Sequence, residues 1–277
     1  MTDWTQGYVS ANGLEVFYRR TGAGSGKPPL LLLHGYVDSG QCWTAVARTL
    51  EDTFDLIMPD ARGHGRTRGP INDMLLDILA ADAAAVIQAL GLGKVFLFGH
   101  SMGGMTALAV AANHPGLIHA AVLEDPPFML PNPYIVTEEM AAQFRADVRD
   151  TLALHDLPLA DRIARCRAEQ PHWPDEEVLP WAESKGEFDP EILQQRTRFR
   201  AYPWRDALSR VSCPLLLITA DVVEGALIIP ELADEAAQRC PTCEVAHIAG
   251  AGHSIHRDRS VEMLRRVRSF FGRLMPA

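Results

Sequence analysis

Two rhythms of apolar and polar positions recur along the chain. Short, almost uninterrupted apolar runs at 28–35 (PPLLLLHG), 55–60 (DLIMPD), 94–99 (KVFLFG), 119–125 (HAAVLED), 214–221 (PLLLITAD) and 243–250 (CEVAHIAG) predict strands covered on both faces, as in a parallel sheet. Between several of them the apolar residues space out helically. The clearest case is 75–90, where Leu76, Leu79, Ala83, Val86, Ile87 and Leu90 recur at helical spacing, and 102–113 is a second. Ahead of both rhythms, YVSANGLEVFYRR centres on Asn12-Gly13, a strong two-residue turn signal, and predicts an antiparallel hairpin. Alternating strand and helix predict an α/β protein: a mostly parallel, doubly wound sheet of about eight strands.

The alternation stops over 127–209. That stretch opens on PPFMLPNPY, carries several prolines and many charges, and shows helical pieces at 137–154 and 190–201 with no clear strand. The expected organisation is therefore a core built from 1–126 and 210–277, with 127–209 inserted between two strands as a helical cap.

A chain of 277 residues, 47% hydrophobic and 22% charged, has the composition of a globular domain with a sizeable core. Its formal charge of -9 and pI near 5.6 supply no basic field, so nucleic acid and an anionic membrane surface are excluded as partners. The opening residues lack the basic start and apolar stretch of a signal peptide, which gives a cytoplasmic location as the expectation. Five scattered cysteines form no disulfide framework, and the Cys240–Cys243 spacing has no second pair to complete a zinc site. A homo-oligomer is allowed by the sequence but not required.

The chemistry begins at VFLFGHSMGGM. Gly99-His100-Ser101-Met102-Gly103 fits G-x-S-x-G between a predicted strand and a predicted helix, the setting in which a sharp turn exposes a serine at a helix N-terminus. A serine hydroxyl needs a base to take its proton. His253, in the glycine-rich loop after the last predicted strand, is that candidate; His256 is its rival, expected to begin the final helix as a partly exposed residue. Two backbone donors are needed for a developing oxyanion, and the amides of Met102 and Tyr36 are the candidates.

Together these segments resemble the α/β-hydrolase fold family. LLLLHGYVDSG, PDARGHGRT, LFGHSMGG, the stretch after CPLLLITAD, and GAGHSIH fall in that family's order along nearly the whole chain. The resemblance implies that Arg62 and His64 shape a turn. It also implies an acid after strand seven, but there TADVVEGALIIP has Ala220 where the family's glycine stands and Val223 at the acidic position, leaving Asp221 and Glu224 out of register. The family's other location is the end of strand six, where AAVLEDPPF offers Glu124 and Asp125. Asp125 is preferred over Glu224, and Glu124 follows both, because a carboxylate at the end of an apolar strand demands a partner.

The expectation is a serine hydrolase that cleaves an ester, lactone, amide or activated C–C bond of a small organic molecule through Ser101, His253 and Asp125, with an acyl-enzyme and without metal or organic cofactor. His100, Phe128 and Trp204 are expected to touch the substrate, with Trp181 and Tyr202 among further aromatic candidates of the inserted segment. The closer resemblance is to small-molecule hydrolases of catabolic pathways, amide-cleaving ones included. The alternatives are a cofactor-free perhydrolase of the haloperoxidase type and a ligand receptor on a hydrolase frame.

Overall fold

In the computed structural model, which describes residues 4–71, 73–128, 138–194 and 202–275, one eight-stranded sheet runs through the molecule in the order β1-β2-β4-β3-β5-β6-β7-β8. The strands are β1 (Thr5–Ala11), β2 (Leu14–Arg20), β3 (Pro29–Leu33), β4 (Asp55–Pro59), β5 (Val95–His100), β6 (Ile118–Glu124), β7 (Leu215–Ala220) and β8 (Cys243–Ile248). β2 runs antiparallel to β1 and to β4, and the other neighbours are parallel. Asn12 and Gly13 take φ of 47° and 75°, the conformation that closes a two-residue hairpin with the right twist.

The run of four leucines in β3 shows why these strands read as apolar throughout. Leu31 and Leu33 enter the core on one face of the sheet, and Leu30 and Leu32 enter the core on the other. Helices α2 (Leu76–Ala89), α3 (Met102–Asn113), α7 (Trp204–Arg210) and α8 (Pro230–Arg239) cover the first face. Helices α1 (Thr44–Leu50) and α10 (Ser260–Gly272) cover the second.

Between β6 and β7 the described residues hold helices α4 (Glu138–His155), α5 (Leu159–Glu169), α6 (Asp175–Ser184) and α7, and no strand. α7 packs on α3 and so extends the helical layer of the core. The helix expected over 190–201 lies largely outside the described residues.

Strand order reverses direction between β3 and β5. In open α/β sheets the crevice at such a reversal, beyond the strands' carboxyl ends, is where ligands bind. The loops that follow β3 and β5 carry Tyr36 and Ser101.

Candidate active site

Ser101 is the N-cap of α3 and has φ 54° and ψ -115°, a conformation that only crowded surroundings maintain. Two glycines permit the crowding: a Cβ on Gly99 would lie 2.1 Å from the carbonyl oxygen of Gly103, and one on Gly103 would lie 1.9 Å from that of Leu33. The Ser101 amide donates to the Glu124 carbonyl at 2.9 Å, which fixes the turn to the end of β6.

The His253 ring bridges Ser101 and Asp125. Its Nε2 lies 3.0 Å from Ser101 Oγ, and its Nδ1–H donates to Asp125 Oδ2 at 2.7 Å. Asp125 is fully buried and takes φ 40°; its amide donates to the Ile218 carbonyl, and its carboxylate accepts from the amides of Leu227 at 2.8 Å and Ile228 at 3.0 Å. Charge-assisted bonds of this kind offset the desolvation of an ionised carboxylate. The His253 side chain is 33% exposed, so one end of the bridge is dry while the ring reaches open space.

The rival positions are placed elsewhere. Asp221 pairs with His247 and accepts from the Gly250 amide, and the preceding β7 ends at Ala220. Glu224 closes a short 3-10 turn, and Val223, at the expected acidic position, is 92% exposed. His256, expected to be partly exposed, is instead buried in the short helix α9 (Ile255–Asp258). Its depth has a physical cause: Glu124 is fully buried beside it and accepts from both the His256 amide and its Nδ1–H at 2.8 Å. Burial pushes the Glu124 carboxyl up to about 7 and the His256 imidazole down to about 3, so at mildly acidic pH both are neutral.

His100 is buried, and its Nε2–H donates to the His253 carbonyl at 2.9 Å. Its imidazole is held well below the ordinary histidine range by burial, which outweighs the opposing pull of Glu124. The neutral ring therefore ties the nucleophile's turn to the backbone of the base. Arg62 and His64 belong to the turn after β4: Arg62 makes a buried two-pronged pair with Asp82, and His64 Nδ1–H donates to the Arg62 carbonyl at 2.7 Å. Cys240 and Cys243 both remain thiols.

A cavity of about 540 Å³ opens over Ser101 and His253, within the roughly 300–1,000 Å³ that small-molecule sites occupy. Gly35, Tyr36 and Val37 of the loop after β3 line it, as do His100, Pro127 and Leu227; Asp147, Thr151, Trp181 and Lys185 come from the helices between β6 and β7. The structure does not bring Phe128 and Trp204 to this cavity. They stack on each other at 4.5 Å, nearly parallel, in the core beneath α3, where an aromatic pair gains more from mutual burial than from facing water.

Beside the cavity lie four charges that the sequence did not single out. Asp38, Glu177, Lys185 and Arg257 are all buried: Lys185 Nζ pairs with Asp38 Oδ1, Arg257 Nη2 donates to Asp38 Oδ2 at 3.0 Å, and Arg257 Nε donates to Glu177 Oε2 at 3.4 Å. Burial alone would raise the Asp38 carboxyl, but Lys185 and Arg257 hold it well below the usual range. Buried charges of equal number and opposite sign avoid the cost of an unpaired one. Spacing gives no signal for such a set, because its members come from three distant segments.

Strain gathers here as well. Among the described residues four non-glycine residues have positive φ, and three belong to this site: Ser101, Asp125 and Val37, the last at 56°. For a β-branched residue such as Val37 that conformation costs on the order of 1–3 kcal/mol and persists only under restraint.

The comparisons agree with this architecture. A family model described as the alpha/beta hydrolase fold matches residues 28–260. N-formylmaleamate deformylase from Pseudomonas putida is 32% identical over 254 residues, spanning 91% of each chain. Among solved structures, E-2-(acetamidomethylene)succinate hydrolase superposes with a TM-score of 0.81 at 22% identity, covering 98% of this chain and 100% of that one. The enol-lactonase from Burkholderia xenovorans gives 0.78 at 22% identity, covering 96% of this chain and 99% of that one.

Proposed function

The chain belongs to the α/β-hydrolase family and is a hydrolytic enzyme, and from that premise we propose that it cleaves an ester, lactone, amide or activated C–C bond of a small molecule by transferring an acyl group through Ser101 to water. The observation that carries the reading is the His253 ring, within hydrogen-bond reach of both Ser101 Oγ and Asp125 Oδ2.

In the proposed cycle His253 Nε2 takes the Ser101 proton as Oγ bonds to the substrate's carbonyl carbon. Negative charge builds on the carbonyl oxygen, and the amides of Met102 and Tyr36 receive it. The positive end of α3 adds to the Met102 donor. The imidazolium then gives its proton to the leaving group, and the carbonyl re-forms as an acyl-enzyme. Water attacks that ester while His253 takes its proton, and collapse returns the proton to Oγ with release of the acid. Asp125 keeps Nδ1 protonated, so that Nε2 presents its lone pair, and it stabilises the imidazolium between steps.

The helices between β6 and β7 act, in this reading, as the cap that excludes water from the cavity and shapes it for substrate. The deformylase relative places N-formyl amides among the first compounds to test. The deciding experiment is a turnover screen over esters, lactones, N-acyl amides and 1,3-diketones, with Ser101→Ala as the blank and labelling by a fluorophosphonate as the active-site count. Turnover and labelling that vanish together in Ser101→Ala are expected. Turnover that survives in the variant would overturn the reading.

A further inference from the structure

The turn after β3 is strained at Val37, and one of the groups that restrain it comes from the segment between β6 and β7. Lys185 follows α6 as its C-cap residue, and its side chain is 8% exposed. Lys185 Nζ donates to the Val37 carbonyl at 3.0 Å and pairs with Asp38, the next residue. Asp38 is held from its other oxygen by Arg257, and Arg257 reaches back to Glu177 in the first turn of the same α6. One helix thus grips the turn at both of its ends, directly through Lys185 and by way of Arg257. Arg257 itself lies four residues beyond His253.

The need for a strained turn has a local cause. Gly35 lies against the His100 ring, so close that a Cβ there would stand 2.8 Å from Nδ1. The chain leaves Gly35 in a tight turn closed by the Asp38 amide, which donates to the Gly35 carbonyl at 3.2 Å, and the positive φ falls on Val37 at its third position. Tyr36 sits between these two constraints. Relaxation of Val37 toward an ordinary backbone conformation would turn the adjoining Tyr36–Val37 peptide, and through Tyr36 it would disturb the preceding peptide that carries the Tyr36 amide.

We propose that Lys185 is a positioning residue that holds the turn of Tyr36, Val37 and Asp38 in its strained form, so that docking of α6 completes the oxyanion site. The inference rests on the acyl-transfer reading above. It says that an element between β6 and β7 does more than wall the cavity: it governs a donor that acts only on the transition state.

The test compares Lys185→Met, Lys185→Arg, Val37→Gly and the double variant Val37→Gly/Lys185→Met with the parent, using a p-nitrophenyl ester and concentrations set by fluorophosphonate titration. Loss of an oxyanion donor costs roughly 10²–10³ in kcat, and a loosened donor a part of that. Lys185→Met should lower kcat at least about tenfold with KM nearly unchanged, and should weaken a boronic acid inhibitor in proportion to kcat/KM. Lys185→Arg should recover part of the loss. Glycine is at ease at positive φ, so the Lys185→Met loss should shrink in the Val37→Gly background. Unchanged kcat per titrated serine would overturn the proposal, as would a rise in KM alone. If Lys185→Met does not fold, Lys185→Gln is read in the same way. Hydrolysis that persists in Ser101→Ala would instead defeat the acyl-transfer reading, a separate result.

Discussion

His256 gives two hydrogen bonds to one oxygen, Oε1 of Glu124, from its amide and from its ring, each at 2.8 Å. The pair runs beside that of Asp125 and His253 and joins the same two segments, so the end of β6 and the loop after β8 are fastened twice. Glu124→Ala would leave both His256 donors buried without a partner. Each unsatisfied donor costs about 1–3 kcal/mol, and urea unfolding should show a loss of a few kcal/mol; a change near zero would mean that the pair is idle.

Glu124→Gln separates the hydrogen bonds from the charge. Burial raises the Glu124 carboxyl from 4.5 to about 7, so its contribution to stability is present below about 4.5 and is lost as pH rises through 7. Glutamine does not titrate. The stability of Glu124→Gln relative to the parent should therefore rise between pH 5 and pH 8 in urea titrations, and a constant difference would contradict the shift.

Histidine burial predicts the opposite dependence at acid pH. His64 and His256 are each pushed from 6.5 down to about 3, and His100 is also lowered by burial. The stability tied to these neutral rings is present above 6.5 and is lost as pH falls toward 3, at about 1.4 kcal/mol per pH unit for each proton taken up on unfolding. The urea midpoint should fall across that window, and less steeply in His64→Gln. Parallel curves would exclude His64 as a contributor.

Asp125→Asn tests the acid. The amide should cost kcat on the order of 10⁴, as loss of the acid does in other triads, while Glu224→Gln and Asp221→Asn leave kcat within a few fold. Steady-state kinetics on any substrate from the screen would rank the three, and the reverse order would move the acid to the segment after β7.

Gly103→Ala tests the serine's turn. A methyl group 1.9 Å from the Leu33 carbonyl oxygen cannot be accommodated without moving β3 or α3. Destabilisation of several kcal/mol is expected, in the range of severe core overpacking, and a wild-type thermal midpoint would contradict the packing.

The parts legible in the sequence were those whose physics is local. Four consecutive leucines announce a strand with two buried faces, and Gly99 and Gly103 around Ser101 announce a turn with no room for a side chain. Asp125 stands out as the proposed acid because β7 offers no carboxylate in register and β6 ends in two, and the structure sets it 2.7 Å from His253 Nδ1. The charged set was illegible because Lys185 and Asp38 lie 147 positions apart, and Arg257 and Asp38 lie 219 apart. Each reads alone as an ordinary surface residue, and only the fold makes them neighbours. The depth of His256 was hidden for the same reason, since its partner stands 132 positions earlier. Phe128 and Trp204 misled because a large aromatic ring near a site satisfies core packing as readily as ligand binding.

The Asp125 carboxylate is seated on the amides of Leu227 and Ile228, which belong to the loop after the neighbouring strand. Two adjacent strand ends thus meet at one point, one bringing the negative charge and the other its cradle. For the acid proposed above, a move from one strand to the other would shift the charge's tether while its destination stayed put. A carboxylate missing from the end of one strand is then a reason to inspect the end of the strand next door.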